Sequence, residues 1–122
     1  MKILLVDDDA FLRDMYAVKF NEKGHTIDVA ETAEAALTKL RENEYDVVLL
    51  DMIMPGISGV DVLKKIKSEK LGDALKCIML TNQSEEADKQ SAFSEGAIGY
   101  IVKAELIPSE VVDTVLTLVN TK

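Results

Sequence analysis

Apolar residues in this chain come in short bursts separated by longer amphipathic stretches, five times over. The bursts are Lys2–Val6, Thr26–Ala30, Asp46–Leu50, Cys77–Leu80 and Ile98–Val102. Their aliphatic and β-branched content, bounded by turn residues, predicts buried strands of a parallel sheet. The intervening stretches repeat at helical spacing. Phe11, Met15 and Val18 predict the apolar face of a first helix that stops at Gly24. Ala33–Leu40 follows Thr32 as N-cap. Val60, Leu63 and Ile66 mark a third helix after Ser58-Gly59, and Glu85–Glu95 a fourth between Ser84 and Gly96. Val112, Val115, Leu116 and Val119 mark a fifth, with Pro108 in its first turn. The fourth helix offers only Ala87, Ala92 and Phe93 to a core and is expected to dock loosely.

Strict β-α alternation over 122 residues predicts one α/β domain, residues 1–122, with a parallel sheet covered by helices on both faces. The C-terminal ends of such strands share one edge, where ligands bind. Two strands run directly into acid there: Val6 into Asp7-Asp8-Asp9, and Leu50 into Asp51. The fourth strand ends at Thr81 and the fifth at Lys103. The edge thus collects three carboxylates, a hydroxyl and an ammonium, with Asp9 assigned to a helix cap. Two unit charges about 4 Å apart repel by roughly 1 kcal/mol in water and by several at an effective dielectric near 20. One lysine cannot balance three acids. An all-oxygen donor set favours Mg²⁺, with Mn²⁺ an alternative. A cation, a lysine and a hydroxyl around a carboxylate suit phosphoryl transfer, the carboxylate serving as nucleophile. Capping of the first helix is the competing reading of Asp7 and Asp8.

Composition narrows the picture. Net charge is −8, which argues against direct nucleic-acid binding through a basic face and directs attention to protein or cation partners. No apolar run reaches the ~20 residues of a membrane span, the first residues do not read as a signal peptide, and the single cysteine, Cys77, permits no internal disulfide. A cytoplasmic location fits. Cys77, Met52 and Met54 read as packing residues, His25 as a surface residue, and Gly56 and Gly59 as serving loop geometry.

These residues resemble a response-regulator receiver domain of two-component signalling, of the single-domain chemotaxis type. The matching elements are Val6-Asp7-Asp8; Asp51 followed by Met54-Pro55-Gly56 and Gly59; Leu80-Thr81; and Gly99-Tyr100-Ile101-Val102-Lys103. The resemblance implies a flavodoxin-like (βα)5 fold with strand order 2-1-3-4-5. It implies that Asp51 accepts phosphate from a histidine kinase or phosphotransfer protein. Asp8 and Asp51 would ligate Mg²⁺ directly, Asp7 through water, and the Ile53 backbone carbonyl would add a ligand. Thr81 and Lys103 would bond the phosphoryl oxygens. Tyr100 would be the switch aromatic, and the face formed by the fourth helix, fifth strand and fifth helix would meet a downstream protein.

Three positions depart from the family pattern. Ala104 follows Lys103 where the family usually has a cis-proline, so a trans peptide and a local loop adjustment are expected. Asn82 stands where a small residue is usual and would narrow access to Asp51. Ile53, two residues past Asp51, cannot orient a hydrolytic water, which implies slow self-dephosphorylation. Two rival functions are a degenerate receiver that only binds a partner, and a Mg²⁺-dependent aspartyl-phosphate phosphohydrolase. The second generally needs an acid where Ile53 stands.

Overall fold

The computed structural model describes residues 1–120; the last two positions of the expected 1–122 domain lie outside the described residues. The strands are β1 (Lys2–Val6), β2 (Thr26–Ala30), β3 (Val47–Leu50), β4 (Lys76–Thr81) and β5 (Gly99–Val102). The helices are α1 (Ala10–Glu22), α2 (Ala33–Glu42), α3 (Gly59–Ser68), α4 (Glu86–Ser94) and α5 (Pro108–Asn120). All five strands are parallel in the order β2-β1-β3-β4-β5, as the resemblance implied. Strand limits shift by one residue from expectation: β3 begins after Asp46, β4 gains Lys76 and Thr81, and β5 begins after Ile98.

Burial follows from this topology. Every residue of β3 is buried, as is all of β1 beyond Lys2, because helices cover both faces. One core layer joins Ile3, Leu5, Leu49, Ile78 and Leu80 to Tyr16 and Phe20 of α1 and to Val111, Val112, Val115 and Val119 of α5. The opposite layer joins Leu4, Val6, Val48, Leu50 and Met79 to α2, to α3 and to Ala92 of α4. Met52, Met54 and Cys77 belong to that second layer, as their apolar character predicts. Burial pushes the Cys77 thiol up to about 11, leaving an inert side chain.

Capping residues set where helices begin. The Asp9 side chain accepts from the Leu12 amide and Thr32 from the Ala35 amide. Ser58 and Asp61 form a reciprocal capping box at α3. Gly24, just past α1, adopts φ +85°, the left-handed conformation that stops a helix. The fourth helix is expected from Glu85; α4 starts one residue later, and its N-cap Glu85 makes no side-chain capping bond.

Three expectations need correction. The outward face of α1 carries Phe11 and Val18, which are 74% and 55% exposed, while Arg13, Tyr16 and Phe20 point inward. The two faces differ by two residues, about 200° around the helix, and both carry apolar side chains, so periodicity alone selected the wrong one. His25 is only partly exposed. Its Nδ1 lies 3.0 Å from the N-terminal amine at the sheet edge away from the acids, and burial followed by that charge lowers its pKa. Gly59 serves packing rather than loop conformation: a Cβ there would collide with the Asp51 carbonyl oxygen. Gly56, at φ +93°, does serve loop geometry.

Candidate functional site

β1 and β3 are neighbours, and their last paired residues are Val6 and Leu50. The next residue of each strand is an aspartate, so Asp7 and Asp51 emerge side by side. Strand order reverses between β1 and β3, the position where open α/β sheets form a crevice. β4 lies on the far side of β3 and contributes Thr81, while β5 contributes Lys103 from the sheet edge. The sheet therefore brings Asp7, Asp8, Asp51, Thr81 and Lys103 together, as their strand-end positions predict.

Asp51 is buried and both its oxygens are engaged. Oδ1 accepts from the Thr81 hydroxyl at 2.6 Å and from the Ile53 amide at 3.2 Å. Oδ2 accepts from Lys103 Nζ at 2.8 Å. Lys103 also sits 2.6 Å from Asp7 Oδ2. That buried ammonium thus bridges the two carboxylates. Burial raises the pKa of Asp7; Lys103 and the Asp9 amide offset part of the rise, and the Asp51 charge adds to it. Burial opposes the charge on Lys103, but its bonds to Asp51 and Asp7 outweigh that cost and hold its pKa above the ordinary lysine value.

One oxygen from each of Asp7, Asp8 and Asp51 lies within 4.8 Å of the others. This set can hold a hard cation. The donors are all carboxylate oxygens, Asp7 and Asp51 share the single ammonium of Lys103, and Asp8 is exposed, leaving the site open to water and to a substrate oxygen. The capping reading separates cleanly from it: Asp9 caps α1, while the Asp7 carboxylate turns back to accept from the Asp9 amide at 2.9 Å.

A hydrogen-bonded chain leaves Asp51 toward α4. Thr81 Oγ1 donates to Asp51 and accepts from the Gln83 amide at 3.3 Å, and the Gln83 carbonyl accepts from the Tyr100 hydroxyl at 2.6 Å. Tyr100 is half-buried, with Lys89 of α4 6.0 Å from its ring centroid. Burial, then the charges of Asp88 and Asp51, pushes its hydroxyl up to about 12, so it remains a donor. No cis peptide occurs among the described residues, so Lys103–Ala104 is trans as expected, and a short 3-10 turn over Lys103–Glu105 supplies the local adjustment. Ile53 and Asn82 are both exposed, with Ile53 61% accessible.

Arg13 escaped the sequence reading. It is buried on the inward face of α1, where Nη1 donates to the Asp7 carbonyl at 3.0 Å and Nη2 meets Glu31 at 3.3 Å. A signal existed: Arg13, Tyr16 and Phe20 follow i, i+3, i+7 spacing, with a cation inside an apolar stripe.

The family model of the response regulator receiver domain matches residues 3–115. The chain belongs to this family. It is 40% identical over 119 residues to the transcriptional regulatory protein ResD of Bacillus subtilis, covering 98% of this chain and 48% of ResD. The chain spans about half the length of ResD and less than half of the phosphate regulon regulator PhoB of Pseudomonas aeruginosa. The response regulator TrrA of Thermotoga maritima, solved in complex with Mg²⁺-BeF, superposes with TM-score 0.82 and is 37% identical, covering 96% of this chain and 97% of that one. A CheY-like receiver domain from Methanospirillum hungatei gives 0.88 and 26%, covering 98% and 93%. Receiver domains are phosphoacceptor signalling switches, and this membership favours a switch over a phosphohydrolase or a binding-only module. Among the described residues, no helix is long and apolar enough to cross a membrane.

Proposed function

We propose that Asp51 accepts a phosphoryl group from a phosphohistidine of a histidine kinase or phosphotransfer protein, with Mg²⁺ held beside it. The convergence of Thr81, Lys103 and the Asp7–Asp8 pair on one buried carboxylate carries this reading. Asp8 and Asp51 would hold the cation directly, Asp7 through water, and the Ile53 carbonyl would complete the protein's share. When bound, Mg²⁺ neutralises charge on the phosphoryl oxygens. An Asp51 oxygen attacks phosphorus, the P–N bond to the donor imidazole breaks, and its electron pair leaves on nitrogen. The product is an acyl phosphate. Thr81 and Lys103, which hold the Asp51 oxygens in this state, then donate to phosphoryl oxygens instead.

Moving Thr81 toward phosphate breaks its contact with the Gln83 amide and frees the segment that anchors the Tyr100 hydroxyl. Tyr100 then turns inward and alters the α4-β5-α5 face offered to a downstream protein. Apolar Ile53 makes self-dephosphorylation slow.

Intact mass after incubation with acetyl phosphate and Mg²⁺ tests the proposal. One phosphoryl group per chain is expected, dependent on Mg²⁺ and lost in Asp51→Asn. No gain, or a gain that survives Asp51→Asn, overturns it.

A further inference from the structure

The carbonyl of Asp7 belongs to the peptide unit that joins Asp7 to Asp8. Its orientation sets ψ of Asp7 and φ of Asp8, and through them the directions of both carboxylates. The β1–β3 ladder cannot hold this unit, because its last register pair is Val6 and Leu50 and its last bond runs from the Asp51 amide to the Val6 carbonyl. On the β2 side, the Asp7 amide donates to the Ala30 carbonyl, and among the described residues that strand supplies no donor to the Asp7 carbonyl. Its donor comes from α1 instead: Arg13 Nη1, at 3.0 Å in a buried hydrogen bond.

Arg13 is an unusual group to bury. Its Nε has no acceptor, and its Nη2 partner Glu31 sits in the β2–α2 connection with a side chain 73% exposed. A buried donor without a partner needs a compensating role. The guanidinium meets Asp7 at its backbone carbonyl, with Nη2 turned to Glu31.

We infer that Arg13 is a positioning residue for the cation site, clamping the Asp7–Asp8 peptide so that both carboxylates face Asp51 before the metal arrives. Adjacent acids repel one another and Asp51, so a free peptide unit turns them apart. Arg13 removes that freedom and ties the end of β1 to the β2–α2 connection through Glu31. Outer groups that orient metal ligands typically account for about 10- to 100-fold in affinity.

This inference rests on Mg²⁺ binding at Asp7, Asp8 and Asp51, so wild-type Mg²⁺ titration by calorimetry comes first. A wild type that fails to bind refutes the functional reading itself. With binding established, Arg13→Ala is expected to weaken Mg²⁺ about tenfold. The acetyl phosphate reaction should then need about tenfold more Mg²⁺ to reach an unchanged plateau rate. Arg13→Lys, which keeps the charge and one donor, is expected to fall between the two and serves if the alanine variant does not fold. Glu31→Gln should change Mg²⁺ affinity less than either. Unaltered affinity in a folded Arg13 variant overturns the inference, as does a lowered plateau with unchanged Mg²⁺ dependence.

Discussion

The two flanks of Asp51 are built to different standards. On one side the β1–α1 junction is anchored: Asp9 caps α1, while Tyr16 and Phe20 are at most 1% exposed and Arg13 holds the Asp7 carbonyl. On the other side α4 has no side-chain cap, and Ala92 is its one buried residue. Gln83 connects the two ends of that flank through its backbone amide and carbonyl, to Thr81 and to Tyr100. The contrast matches the tasks of a switch. Carboxylates that share a cation need fixed directions, which demands a packed helix behind them. A segment that reports phosphate must change conformation at little cost, which demands few buried contacts. One sheet edge supports both because its helices differ in how much they bury.

Core truncation breaks the comparison most directly. Phe20→Ala is expected to destabilise by about 3–5 kcal/mol, whereas Phe93→Ala, on the exposed side of α4, should stay within about 0.5 kcal/mol. Urea denaturation measures both, and similar losses would dissolve the distinction between the flanks.

A smaller effect concerns the charge that the rigid flank confines. Asp7→Asn keeps the oxygen that accepts from the Asp9 amide and leaves Lys103 paired with Asp51. It should stabilise the metal-free protein at neutral pH by roughly 2 kcal/mol, the scale of an imperfectly compensated buried group. The sign follows from linkage. A folded-state pKa raised above the ordinary carboxylate value favours the protonated form, so any stabilisation from Asp7 exists at low pH and is lost as pH rises through that raised value. The variant's advantage should therefore shrink on acidification. Thermal melts in chelator across acid to neutral pH check this, and an Asp7→Asn protein that melts lower at neutral pH contradicts the confined-charge picture. Added Mg²⁺ should reverse the ranking, since the wild type alone retains the full ligand set.

The caps give the mildest test. Asp9→Ala should cost about 1 kcal/mol by leaving the Leu12 amide without its acceptor. Glu85→Ala, which removes no capping bond, should cost less than about 0.5 kcal/mol. Equal effects would mean that α4 is anchored by something other than packing and caps.

Strands, helix order and the five strand-end residues were all legible before any tertiary information, because buried parallel strands leave dense apolar runs that end where the sheet edge begins. The inward face of α1 was not legible. Phe11, Met15 and Val18 form as good a helical stripe as Arg13, Tyr16 and Phe20, and only docking against the sheet and α5 chooses between them. Gly59 was misjudged for a related reason. Its cause is the Asp51 carbonyl, eight residues away along the chain and in contact only once β3 and α3 have packed.

Local order along the chain thus determined which residues reach the edge. Strand ends, caps and the acids after Val6 and Leu50 depend on neighbours in sequence, and those neighbours can be read directly. Pairing β1 with β3 put Asp7 and Asp51 side by side on Lys103, pairing β3 with β4 closed Thr81 on the same carboxylate, and docking of α1 brought Arg13 to the Asp7 peptide. Those contacts join residues far apart in the chain, or hang on which face a helix turns inward. Sheet order and packing set that geometry, and periodicity along one chain cannot choose among the faces and pairings that would produce it.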